Sequence, residues 1–156
     1  VGRTEYFHDP AGPRPNRIVT AATTFVLDEH ERVLMIQRSD NGLWALPGGT
    51  QDVGERIATT AERETREETG YEVRVTGLIG VYSDPGHVIA YDDGEVRQQF
   101  ALSFRAELLG GELEHSEESP EVRWVADNEL DELPMHPSIR LRVDHGFEDR
   151  AEPYIG

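Results

Sequence analysis

Glu64, Glu67 and Glu68 stand at i, i+3 and i+4, a spacing that a helix turns into one cluster of carboxylates. At about 100° per residue, Ile57, Ala61, Glu64 and Glu68 fall in one narrow stripe, with Glu67 beside it and Glu62 and Arg66 on the outer face. If Ile57 and Ala61 dock the helix on the body of the protein, Glu64 and Glu68 point inward or into a cleft. Like charges at these spacings destabilise a helix by roughly 0.2–0.5 kcal/mol per pair, and by more when water is withdrawn, so a cation belongs among them. A hard divalent ion with oxygen ligands, Mg²⁺ or Mn²⁺, neutralises the cluster and accepts its geometry. The competing reading is a solvated acidic face; the apolar half of the stripe and Gly48-Gly49 upstream weigh against it.

The elements that must position this helix can be read from pattern. Arg17 to Leu27 alternates and is rich in Val, Ile and Thr, and residues 28–31 make a turn into a second strand from Arg32 to Arg38, which together read as a hairpin. A loop at 39–42, a short strand at 43–46 and a glycine-rich turn at 47–54 lead to the helix, expected over 55–69 and ended by Gly70. Further strands are expected at 72–81, 98–109 and 121–125, with a loop or hairpin at 83–95. A short helical turn is expected at 128–133, and a closing helix at 138–147 has Pro137 before it and Ile139, Leu141, Val143 and Phe147 among its apolar positions. Residues 1–16 read as an extended arm, mobile or packed on a partner subunit of a homodimer, and residues 151–156 as a tail. Strands, a central helix, strands and a closing helix make an α/β (α+β) domain over 17–150.

The 156 residues include 31 acidic and 15 basic ones, all of the latter arginine, for a formal net charge of −16. A chain this acidic repels a nucleic-acid polymer, while a phosphorylated small molecule can reach the carboxylates through metal ions and be selected by a few arginines. The absence of cysteine excludes disulfides, zinc–thiolate sites and thiol nucleophiles. With no apolar run of membrane-spanning length and no signal peptide evident, no membrane partner is expected, and a cytoplasmic location is the default.

The window from Gly49 to Tyr71 resembles the signature of the Nudix (MutT-like) hydrolases: Gly, five of any residue, Glu, seven of any, Arg-Glu, a large aliphatic, any, Glu-Glu, any, Gly, a large aliphatic. Gly49, Glu55, Arg63, Glu64, Glu67, Glu68 and Gly70 match its seven fixed positions. Thr65 and Tyr71 stand where the pattern has aliphatics, which puts local packing in question but not the acidic cluster. The resemblance implies an α/β/α sandwich with a mixed sheet between helices, and attack of water on a diphosphate linkage. It implies Glu67 and Glu68 as metal ligands, Glu64 as a ligand or the base that activates water, and the Gly48 carbonyl as a further ligand. Arg63 is expected to hold Glu67 in orientation, and Glu55 to cap the helix start or approach Arg63. Family members commonly add a carboxylate a few residues before a tryptophan-bearing strand; of Glu117, Glu118 and Glu121 ahead of Trp124, we take Glu118.

For substrate, Pro85 lies 15 residues beyond Gly70 in the loop Tyr82-Ser83-Asp84-Pro85-Gly86-His87, similar to a proline loop of family members that cleave ADP-ribose, although Asp84 interrupts the pattern. ADP-ribose or a nucleotide sugar, and nucleoside triphosphates including oxidised ones, are the substrate classes to weigh. Arg38 and Arg97 are candidates for phosphate or base contacts, Tyr82, Tyr91 and His87 for stacking or hydrogen bonding to a base, and His136 and Arg140 are weaker candidates. A non-catalytic nucleotide sensor of the same fold is the alternative; the intact glutamates argue against it. An isoprenoid diphosphate isomerase is disfavoured by the missing cysteine.

Overall fold

The computed structural model describes residues 2–119 and 121–156. Ten strands and two helices follow in the order β1 (Arg3–Phe7), β2 (Arg17–Val26), β3 (Val33–Gln37), β4 (Trp44–Ala45), β5 (Gly48–Thr50), α1 (Ile57–Thr69), β6 (Tyr71–Tyr82), β7 (His87–Tyr91), β8 (Val96–Gly111), β9 (Glu121–Val125), α2 (Pro137–Glu148) and β10 (Tyr154–Ile155). A 3₁₀ turn at Asp127–Glu132 precedes α2. The large mixed sheet runs β1-β7-β8-β2-β5, with β6 on β8 and β10 on β6. A second sheet has the order β4-β3-β9.

The long β8 organises the large sheet: β2 pairs with it in parallel over ten residues, β6 antiparallel along its later part, and β7 antiparallel along its start. Phe25, Val33, Met35, Trp44, Leu46, Ile79, Val125, Leu130 and Val143 form the core between the sheets and α2. α1 lies on another part of the large sheet through Ala61, which packs with Ala22 and Phe104, and through Ile57 beside them. The mixed sheet therefore has helices packed against it as the resemblance implied.

Two expectations need correction. The strands expected to form a hairpin part company: β2 joins the large sheet and β3 the small one, linked by the bridge Leu27 to Val33 and the Asp28 N–H to Arg32 carbonyl hydrogen bond of the turn. Because β2 ends and β3 begins in a continuous buried run, each is covered there on two faces, which a two-stranded hairpin with one solvated face does not provide. The arm, whose first residue Val1 lies outside the described residues, docks on its own chain. Arg3–Phe7 pairs antiparallel with β7, from Arg3 opposite Tyr91 to Phe7 opposite His87. The tail likewise adds Tyr154 and Ile155 in parallel to β6.

The departures from the family pattern are absorbed locally. Thr65 Oγ1 and Thr24 Oγ1 share a buried hydrogen bond of 2.7 Å, and Thr65 Oγ1 also donates to the Ala61 carbonyl at 2.8 Å. Tyr71 packs edge-on against Trp124 with ring centroids 5.3 Å apart and accepts from its Nε1. Gly70 ends α1 in the left-handed region at φ 79°, with its N–H donating to the Arg66 carbonyl.

α2 presses on β2 at Gly146, where an added Cβ would come within 2.3 Å of the Phe25 ring. Alanine exceeds glycine in helix propensity by about 1 kcal/mol, so a clash-free site would gain stability. Gly146→Ala is expected instead to lose roughly 1–3 kcal/mol through overpacking. Urea unfolding reads this as a lowered midpoint at constant slope; a raised midpoint would contradict the α2–β2 contact.

Candidate active site

Glycines allow α1 and β5 to approach. A Cβ on Gly48 would lie 2.2 Å from the Ala22 carbonyl oxygen, and one on Gly49 would lie 2.5 Å from the Glu64 carboxyl carbon. In the space so kept, the Gly48 N–H donates to Glu68 Oε1 at 2.7 Å. Glu68 is 8% exposed. Burial pushes its carboxyl up to about 8, opposed by the Gly48 hydrogen bond and the Arg38 charge and reinforced by Glu64 and Glu118. Glu64 is raised as well, again chiefly by burial, against its contact with Arg63.

Arg63 is the cation of this cluster. Its Nε donates to Glu55 Oε2 at 2.7 Å, its Nη1 to Glu64 Oε1 at 3.0 Å, and Nη1 lies 3.3 Å from Glu67 Oε2. The closer partners are thus Glu55 and Glu64, where spacing alone pointed to Glu67. Glu55 lies ahead of α1, whose N-cap is Arg56 with no side-chain cap. Instead of capping, Glu55 Oε1 accepts from Thr60 Oγ1 at 2.7 Å, so Thr60, Glu55 and Arg63 form one strap across the first turns. These contacts hold the Glu55 carboxyl down at about 2, led by the Arg63 hydrogen bond.

Glu67 stands more in solvent, its side chain 55% exposed. Glu118 lies on the exposed loop before β9; its charge acts on Glu64 and Glu68, and its carbonyl accepts from the Ser39 N–H at 3.1 Å. The donors here are all carboxylate oxygens, one of them buried with only a neutral N–H against it. That set fits a hard divalent cation. Glu64, Glu67 and Glu68 would hold it, with Gly48 alongside.

A cleft leads from this edge across the face of the large sheet, lined at one side by Gly48, Gly49 and Thr50 and at the other by Glu5, His87, His136 and Arg142. Of the sequence candidates, Arg38, Arg97, His87, Tyr91 and the weaker His136 line it. Arg38 is paired with Asp40 through Nε and Nη2, and Arg97 lies over the Tyr91 ring, 4.6 Å from its centroid. Tyr82 faces a smaller cavity, not the cleft: its hydroxyl meets His145 Nδ1 at 2.8 Å, and burial pushes it up to about 12. Arg140 pairs with Asp131 and Asp144 on the outer side of α2.

Glu5, His87 and His136 are a trio whose ligand atoms all lie within 4.8 Å of one another. His87 Nε2 hydrogen-bonds Glu5 Oε2, and His136 Nε2 lies 3.5 Å from the same oxygen. The Ser138 N–H donates to His136 Nδ1, which leaves Nε2 of the neutral ring as the donor toward Glu5. The trio is therefore self-satisfied, and it fastens β1 to β7 and to the start of α2. Nothing in the local sequence of Glu5 signals this role. Arg142 did carry a signal: it falls with Ile139, Val143 and Gly146 at i, i+3, i+4 and i+7, a charged residue in the inner stripe of α2.

Because the Glu68 carboxyl is raised, the folded chain keeps a proton that the unfolded chain loses between the ordinary carboxylate value of 4.5 and about 8. Its contribution to stability is present below that window and is lost as pH rises through it. In EDTA, the melting temperature difference between wild type and Glu68→Gln should therefore shift in favour of the variant as pH rises. A pH-independent difference would show that Glu68 is solvated.

Comparison with known proteins agrees with this geometry. A family model described as the NUDIX domain matches residues 17–145. A MutT-like protein of Streptomyces ambofaciens is 39% identical over 130 residues, 83% of this chain and 77% of the relative. An ADP-ribose pyrophosphatase of Methanocaldococcus jannaschii is 33% identical over 116 residues, 69% of this chain and 62% of the relative. Among solved structures, an ADP-ribose pyrophosphatase from Streptococcus suis superposes with a TM-score of 0.71 at 19% identity, covering 90% of this chain and all of that one.

Proposed function

The chain belongs to the NUDIX family of pyrophosphohydrolases, and from that premise we propose that it cleaves, with Mg²⁺ or Mn²⁺, the diphosphate of a nucleoside diphosphate joined to a sugar, ADP-ribose being the type. The observation that carries this reading is the cleft that runs from Gly48, Gly49 and Thr50 of β5, the strand beside Glu64 and Glu68, to a wall holding Arg3, Arg38, Arg97 and Tyr91. A metal-bridged diphosphate suits the first end, and a nucleoside or sugar the second. The names of the relatives support both classes equally, one naming ADP-ribose and another 8-oxo-dGTP at 33% identity each to this chain, so oxidised nucleoside triphosphates are the competing class and the choice of ADP-ribose rests on the cleft.

Phosphoryl transfer asks the protein for placement and electrostatics more than for covalent chemistry. A bound divalent ion supplies positive charge to the nonbridging oxygens and lowers the pKa of water. The residues do the rest. Glu64, raised by its burial, or Glu118 on the facing loop, takes the proton of the attacking water. Arg63 and Glu55 hold Glu64 in place, and the Gly48 N–H holds Glu68. Arg38 and Arg97 on the cleft wall are set to meet phosphate or base.

The test is product release from a panel of ADP-ribose, nucleotide sugars, ordinary and oxidised nucleoside triphosphates and dinucleoside polyphosphates, with Mg²⁺, with Mn²⁺ and with chelator. Metal-dependent cleavage of ADP-ribose or a nucleotide sugar is expected. Glu68→Gln should keep the fold and cut turnover by at least about a hundredfold, in the range for removal of a group that acts on the transition state. Turnover near wild type in that variant would falsify the assignment of the metal site.

A further inference from the structure

Arg142 has no role in the chemistry described so far, and its surroundings demand one. The residue is 3% exposed, and its Nε is buried without a hydrogen-bond partner among the described residues. Burial lowers its pKa to about 10, so the guanidinium stays charged at neutral pH. An ion taken out of water without a partner costs several kcal/mol, and natural proteins keep such a group where a ligand completes it.

Among the described residues no hydrogen-bond partner reaches Arg142 Nε. Glu5, the carboxylate that acts on Arg142 through space, is engaged by His87 and His136 and lies 3.8 Å from Arg3. The Tyr82 ring lies 5.1 Å from the guanidinium carbon and steadies its plane, while the Tyr82 hydroxyl is turned to His145. Arg142 lines the substrate cleft together with Gln99, Ser138 and His87.

The position in the sheet gives the site a distance. His87 is on β7 and Gly48 on β5, and β8 and β2 lie between them. Three strand spacings alone put about 14 Å between them across the sheet, and the offset along the strands adds to it. The cleft thus has an acidic end, suited to a metal-bridged diphosphate, and a cationic end remote from it.

We propose that Arg142, flanked by Gln99 and Ser138, is an anion-binding subsite that receives a phosphate or carboxylate carried by the substrate at the end away from the scissile diphosphate. This deepens the hydrolase reading and rests on it for the identity of the cleft. Within the nucleoside diphosphate sugars it favours those whose second half bears a further acidic group, such as a sugar acid or a sugar phosphate, over ADP-ribose itself, whose terminal ribose is neutral. Arg142 is a binding residue in this assignment, with no part in the bond cleavage.

The test uses inorganic phosphate and, in parallel, acetate, in EDTA so that no metal carries the anion to Glu64 and Glu68, against chloride at equal ionic strength. The wild-type melting temperature should rise saturably, by about 3–6 °C at tenfold over Kd, with phosphate, acetate or both. Arg142→Met should melt no lower than wild type without anion and lose the shift, while Arg97→Gln keeps most of it. Absence of a shift with both anions, or a full shift in Arg142→Met, overturns the subsite and leaves the hydrolase reading untouched, since no turnover is measured. If Arg142→Met does not fold, the Arg Nε–H region of wild-type ¹⁵N spectra takes its place. The buried resonance missing from Arg142→Lys should move on adding the anion, and a resonance that stays still overturns the proposal.

Discussion

A carboxylate withdrawn from water governs the arrangement of the active edge. Glu68 is nearly buried, with the Gly48 N–H on one oxygen and, among the described residues, no salt-bridge partner, and its pKa rises accordingly. Such a group is tolerated where something positive completes it, which is the physical basis for reading the cluster as a metal site. The neighbouring features serve that burial. Gly48 and Gly49 let the β5 backbone come against α1, and the Thr24–Thr65 hydrogen bond joins α1 to β2. Arg63 holds Glu64, and Glu55 in turn holds Arg63.

The opposite end of the cleft reverses the sign. There a buried arginine has an Nε with no hydrogen-bond partner among the described residues, and the carboxylate that acts on it through space, Glu5, is bound to His87 and lies 3.5 Å from His136. The strand order separates the two ends, with β8 and β2 forming the floor between them. On the proposed assignment, such a cleft would take a ligand that is anionic twice, once through metal and once directly. The N-terminal strand is part of this design because Glu5 on β1 removes itself from Arg142 by pairing with His87 and His136.

The central helix and its acids were legible because α1 carries its information locally: spacing, a glycine stop and an apolar stripe. Most strands were legible for the same reason, with ends displaced by a residue or two. The hairpin of β2 and β3 was misread because alternation identifies a strand and says nothing about which sheet it joins. β5 was hidden inside a glycine-rich turn, since three residues carry no period. Leu141 was taken with the apolar positions of α2 yet is 38% exposed, while Arg142 beside it is buried. Hydrophobicity was a poor guide to that helix because its inner face is partly a polar site.

By itself the sequence determined the reaction class and the helix that presents the acidic cluster, since these depend on residues within one short window. It also determined the absence of thiol chemistry, which follows from the missing cysteine. Only the tertiary structure decided that Arg63 grips Glu55 and Glu64 more closely than Glu67, that Tyr82 faces away from the cleft, and that Glu5, His87 and His136 meet. Those are contacts between residues far apart in the chain, set by strand order and by competition for burial, and a local pattern of residue types carries no record of either.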